Sequence, residues 1–175
     1  MDPASGDSDD GELSLTGSRR YSPRVMTTAA RSTSRSAARL AAVQALYQQE
    51  MEGTPLARLL KEFHDHRIGA TIEDEEYHEA ERDFFDDLVA GVDARKSDID
   101  GAISGKLATG WSLERLDRPM RAILRAGTYE LIARPDVPVG SVISEYVDVA
   151  HAFFDKRESG FVNGLLDAIA KDVRR

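Results

Sequence analysis

The sequence has no cysteine, which excludes disulfides, thiol catalysis and cysteine-ligated zinc or iron–sulfur centres and suits a reducing compartment. No apolar run comes near the ~18 residues that a membrane-spanning helix needs. The opening stretch MDPASGDSDDGE is acidic where a secretory signal would be basic and then apolar. Together these absences lead to the expectation of a cytoplasmic protein with no membrane contact. Period-two alternation is missing too, so there is no strand to carry a Gly-rich phosphate loop or a nucleophile elbow. The four histidines stand in no His-Glu-x-x-His frame. Glu75 with His78, and Asp148 with His151, have the i, i+3 spacing of carboxylate–histidine pairs in helical di-iron proteins. The first pair sits in a solvated acidic run, and His64 and His66 read as surface loop histidines. Neither a metal nor another cofactor is expected, and an enzyme is not expected.

What is present is an uneven distribution of charge. The chain carries a net charge of −8, yet from Leu13 to Gln49 it has no Asp or Glu and six arginines: Arg19, Arg20, Arg24, Arg31, Arg35 and Arg39. The remainder therefore carries −14. Because salt confines each charge's influence to about 10 Å, such a local excess can attract phosphate on an acidic protein.

With 175 residues and 41% hydrophobic composition the chain suits one domain with one core. Residues 1 to about 30 mix Ser, Gly, Asp, Thr and Arg, have few large apolar side chains to bury, and are expected to be a disordered extension, with Met26 an alternative start. From Ser34 the pattern becomes helical, with Leu40, Val43 and Tyr47 on one stripe up to Gly53. Thr54 and Pro55 read as cap and first residue of a second helix bearing Leu56, Leu59, Leu60 and Phe63. A connector leads to a third helix with Phe84, Phe85, Leu88, Val89 and Val92, followed after a break by a shorter one. LERLDRPMRAILRAGTYELIARP keeps the 3.6 period and closes before Pro135. Two more helices follow, one with Ile143, Tyr146, Val147, Ala150 and Phe153, the other with Phe161, Leu165, Ile169 and Val173. Gly127 and Gly164 each cost about 1 kcal/mol in a helix interior, so each is expected to mark a close helix–helix contact. The expected fold is all-α, a bundle of about seven helices.

FVNGLLD at 161 to 167 resembles the signature of the last helix in the NusB family of bacterial transcription antitermination factors, where FVNGVLD or a close variant occurs. Four more blocks fall in the family's order: AVQALYQ at 42 to 48, DDLVAGV at 86 to 92, ILRAGTYEL at 123 to 131 and VISEYVDVAHAF at 142 to 153. The resemblance spans about residues 31 to 172, so residues 31–175 are expected to form a NusB-like RNA-binding domain and 1–30 the extension.

The resemblance implies two helical subdomains and a factor that pairs with the small ribosomal protein NusE, binds single-stranded boxA RNA and, within the transcription elongation complex, supports read-through of ribosomal RNA operons. It implies that Arg35 and Arg39 contact RNA, with Arg31 just upstream, and that Phe161 stacks on a base. Glu114 matches an acidic position near the family's NusE-facing surface, while Met120 stands at the neighbouring acidic site. Gly160 replaces a residue often basic in relatives, with Lys156 and Arg157 a turn upstream. Some members dimerise and cover the RNA face, so monomer and homodimer both stay open. Two other classes compete: a stand-alone NusB-like RNA-binding module related to ribosomal RNA methyltransferases, for which a chain ending at Arg175 leaves no catalytic domain, and a helical protein-interaction module without RNA.

Overall fold

The computed structural model describes the backbone of residues 28–68 and 75–174 and the side chains of residues 33–68 and 78–174. Most of the expected extension, with Arg19, Arg20 and Arg24, lies outside these residues; residues 28–30 already belong to the first helix. Among the described residues there are seven α-helices and no strand. They are α1 (Thr28–Glu52), α2 (Leu56–His66), α3 (Glu75–Ala94), α4 (Lys96–Ser104), α5 (Arg118–Ala133), α6 (Val139–Phe153) and α7 (Lys156–Val173). None of them is long and apolar enough to cross a membrane.

The alanines of α1 explain its place at the centre. Ala38, Ala41, Ala42 and Ala45 are buried together with Val43 and Leu46, and such small side chains let neighbouring helices approach its backbone closely. It packs on α2, α3, α5 and α6. Gly53 ends it in the left-handed region, at φ 67°, with its N–H donating to the Gln49 carbonyl at 2.8 Å. α2 begins one residue later than the sequence suggests: Pro55 is the residue before the helix, and no side chain caps it. Leu59 and Phe63 are buried, and Phe63 stacks on Phe85 of α3 with ring centroids 5.4 Å apart. His64 and His66 are helical residues of α2, which corrects the loop expected for them.

The helices form two groups, α1–α3 and α4–α7, joined where α5 packs on α1 and α3 and where α6 packs on α1, so that one apolar core runs through both. The long periodic stretch from Leu113 to Ala133 is divided. Leu113–Arg115 make a single 3-10 turn, and α5 starts only at Arg118. Pro119 is the reason, because its ring has no N–H to give to a preceding turn and would clash with the carbonyl four residues back.

Of the two glycines expected at helix contacts, one is there. A Cβ on Gly127 would lie 3.0 and 3.1 Å from the Leu166 methyls and 3.3 Å from the Tyr146 ring, so α5 meets α6 and α7 at this point. Gly164 has nothing within 4 Å of such a Cβ, and helix packing does not account for it. The tightest glycine is Gly91 of α3, where a Cβ would fall 2.1 Å from the ring of Tyr129 on α5. That ring reaches across Gly91 to donate its hydroxyl to Asp87 at 2.6 Å. Burial and then the Asp87 hydrogen bond push the phenol pKa up to about 12.

These contacts rank three substitutions. Gly164→Ala should raise stability by about 0.5–1 kcal/mol, the helix propensity difference. Gly127→Ala and Gly91→Ala should lower it by about 1–3 kcal/mol through overpacking, with Gly91→Ala the worse because Tyr129 must leave its bond to Asp87. Urea midpoints at constant slope measure all three.

Candidate nucleic-acid interface

Arg35 and Arg39 stand four apart on α1, yet the fold treats them differently. Arg39 is only 3% exposed. Its Nε donates to Glu130 Oε2 at 2.8 Å and its Nη2 to Oε1 at 2.9 Å, a bidentate pair with a carboxylate that is itself fully buried on α5. Nη1 lies 3.6 Å from Glu145 of α6. Burial opposes the charge on Arg39, but the hydrogen bonds and the field of Glu130 outweigh it and hold the guanidinium pKa above its ordinary value. Arg39 is therefore an internal tie between α1 and α5, which corrects the expectation that it faces phosphate.

Arg35 is half-buried. Its Nη2 reaches Asp136 at 3.3 Å, and its guanidinium carbon lies 5.0 Å from the centre of the Phe84 ring. Arg39 and Arg134 approach the same ring at 5.0 and 4.9 Å. Arg134 also holds Asp136 at 3.1 and 3.2 Å and Asp87 at 3.0 Å. The Arg134 bonds keep the Asp136 carboxyl below the usual carboxylate range, and that carboxyl in turn raises Arg134. Glu145 accepts the Ser36 hydroxyl at 2.9 Å. Three arginines thus gather at Phe84 with Glu130, Glu145, Asp136 and Asp87 around them, so that Arg35 and Arg39 of the acid-free stretch meet acids from α5, α6 and the turn after α5. Of the six arginines, Arg35 keeps partial exposure among the described side chains; Arg31 lies on α1 one turn earlier, with its side chain outside those described.

Phe161 lies in the second turn of α7 and is 40% exposed, whereas Val162, Leu165 and Leu166 beside it are buried. It is not a core residue. Lys156 and Arg157, one turn back, are exposed as well. Glu114 is exposed on the 3-10 turn; its own backbone amide and then the Ser112 hydroxyl hold its carboxyl below the usual range. Met120, at the position where an acid was expected from the family pattern, is buried.

The sequence did not single out Trp111, the only tryptophan, which is 58% exposed. It shares a groove with Phe161, Arg115, Arg157 and Glu158. The signal was the pair Gly110–Trp111: Gly110 has φ 89°, a left-handed turn that aims the next residue away from the bundle. No cluster of three or more metal-ligating side chains occurs among the described residues. His64 Nε2 lies 2.5 Å from Asp86, a pairing between α2 and α3.

The family model described as NusB matches residues 36–171. A protein of Sphingopyxis alaskensis called transcription antitermination protein NusB is 72% identical over 145 residues, covering 83% of this chain and 97% of the relative. Its namesake in Novosphingobium aromaticivorans is 70% identical over 140 residues, covering 80% and 95%. Among solved structures, NusB of T. maritima superposes with a TM-score of 0.67 at 34% identity, over 79% of this chain and 91% of that one. A complex of the antitermination factors NusB and NusE with double-stranded RNA contains a chain that superposes at 0.64 with 29% identity, over 80% and 98%.

The internal role of Arg39 has a measurable consequence. Glu130→Ala leaves a buried guanidinium without its partner and should cost about 3–5 kcal/mol of folding stability, whereas Arg35→Ala, at a partly exposed pair, should cost under about 1 kcal/mol. Replacing both members, Arg39→Met with Glu130→Leu, should recover most of the first loss. Urea denaturation at one ionic strength compares the three.

Proposed function

Because the chain belongs to the NusB family of transcription antitermination proteins, we propose that it binds boxA-type single-stranded RNA of ribosomal RNA operons together with the ribosomal protein NusE. In this reading it joins the elongation complex in the cytoplasm and helps RNA polymerase read through. The observation that carries the RNA role is Phe161. Within FVNGLLD it is the apolar side chain that the core does not take, and it stands exposed one turn from two exposed cations, Lys156 and Arg157, that pair with no acid among the described residues. An exposed ring next to positive charge is what stacking on an unpaired base requires.

Phosphate contact falls to Arg31 and Arg35, one turn apart at the start of α1. Arg35 can exchange Asp136, a half-exposed partner, for a phosphate at little cost, since an exposed pair contributes under about 1 kcal/mol. Arg39 has no such freedom and contributes by fixing α1 against α5. The arginines of the extension, Arg19, Arg20 and Arg24, precede this site in the sequence and would add sequence-independent charge. NusE is the proposed protein partner because a solved NusB assembles with it, and exposed Glu114 is the proposed contact.

Two measurements test the proposal. In RNA titrations at several salt concentrations, Arg31→Ala with Arg35→Ala should make the slope of log K against log salt shallower by about 0.7 per lost contact; an unchanged slope removes both from the site. Phe161→Ala should weaken single-stranded RNA binding by about 1–3 kcal/mol and leave NusE capture intact, with little change in melting because the ring is already exposed.

A further inference from the structure

The loop that leads into α5 and the start of α7 enclose a groove of about 490 Å³. Leu107, Leu116 and Met120 supply its apolar surface, and Trp111 and Phe161, two of the four large apolar side chains exposed among the described residues, both line it. Trp111 is held in place by the backbone. The positive φ of Gly110 turns the chain, and the Trp111 N–H donates to the Ala108 carbonyl at 3.0 Å. Arg115 donates to the Gly110 carbonyl and sets its guanidinium 5.9 Å from the indole centre. Arg157, on the other side, is exposed and pairs with no acid among the described residues. Glu158 lines the same groove, and its Oε2 is shut off from water and accepts no hydrogen bond from the described residues. A carboxylate oxygen left without a donor is unfavourable, and a short turn about its soft terminal torsion offers it to whatever enters the groove.

The geometry points to a pocket for one unstacked nucleobase of single-stranded RNA, held against Trp111 and Phe161, with the base's amino edge donating to Glu158 and its phosphates near Arg115 and Arg157. This rests on the RNA-binding function proposed above and adds base selectivity to it. Glu158 accepts only, so it favours bases that present an amino group. Guanine offers two adjacent donors, N1–H and the 2-amino group, which match the two oxygens of a carboxylate. Adenine and cytosine offer one amino group beside an acceptor. Uracil is the poorest fit, because carbonyl oxygens flank its N3–H on both sides and repel the carboxylate. Two aromatic surfaces and two guanidiniums suit a flat, electron-rich ring with attached phosphates better than an aliphatic protein side chain.

Trp111 is the only tryptophan, so its fluorescence reports on this groove alone. The full chain is titrated with a short oligouridine and with the same RNA carrying one central guanosine. Trp111 emission should be quenched, and the guanosine RNA should bind more tightly. Trp111→Ala, read by anisotropy of labelled RNA, should weaken binding by about 5- to 150-fold, with Trp111→Phe retaining most of the affinity. Glu158→Gln should erase the preference for guanosine over uridine while leaving the fold and the salt slope unchanged. If RNA binds with the wild-type salt slope but Trp111 emission and the Trp111→Ala affinity do not change, the groove is not a base pocket, although the chain still binds RNA. Quenching by NusE and not by RNA assigns the groove to the protein partner and overturns the pocket. Absence of RNA binding by the wild-type chain, alone and with NusE, overturns both.

Discussion

A buried ion pair between Arg39 and Glu130 sets how the two groups of helices meet. Neither side chain has water to fall back on, and each satisfies the other with two parallel hydrogen bonds. A misplacement of α1 along α5 by even one turn would leave two uncompensated charges in the core, at several kcal/mol each. Apolar contacts tolerate sliding, since one alanine face resembles the next. The pair therefore specifies register where the alanine-rich surface of α1 does not. Gly127 and Gly91 act in the same direction by fixing where α5 touches α7 and α3.

Around that pair the charge pattern of the sequence is rearranged. Phe84 collects the guanidiniums of Arg35, Arg39 and Arg134 at about equal distance, and four acids from other elements close the shell. The arginine-rich start of the helix, seen along the chain, promises a basic face. In three dimensions most of that charge is already answered. Of the described arginines at the start of this helix, Arg35 alone keeps partial exposure, and its partner Asp136 is half-exposed. Positive charge thus has two settings in one helix, buried and doubly hydrogen-bonded at Arg39 and half-exposed at Arg35.

The aromatic groove at the start of α7 depends on exposure, not on pairing. Phe161 and Trp111 remain outside while Val162, the next residue, and Leu113, two residues on, take the core positions. A protein that buries Phe63, Phe84 and Phe85 almost completely keeps these two rings accessible. The two rings share one groove with Arg115 and Arg157.

Sequence by itself determined the helices and most of their buried stripes. Val43, Leu59, Phe85, Leu88, Ile123 and Ile169 were legible because the 3.6-residue period is a local property, written within each segment. The FVNGLLD block and its four companions were legible for the same reason, but the period put Phe161 on the apolar stripe of its helix, whereas the structure leaves it 40% exposed. Only the tertiary structure decided the rest. Arg35 and Arg39 have equivalent settings along the chain, and what separates them is Glu130, 91 residues away. Gly164 and Gly127 look alike in their helices, but only Gly127 meets a neighbour, Leu166. Trp111 and Glu158 gained significance when a loop before α5 came to face the start of α7. In each case the local pattern names the residues that can be buried, paired or exposed, and the choice falls to helices distant in sequence, whose packing determines which side of each residue is covered.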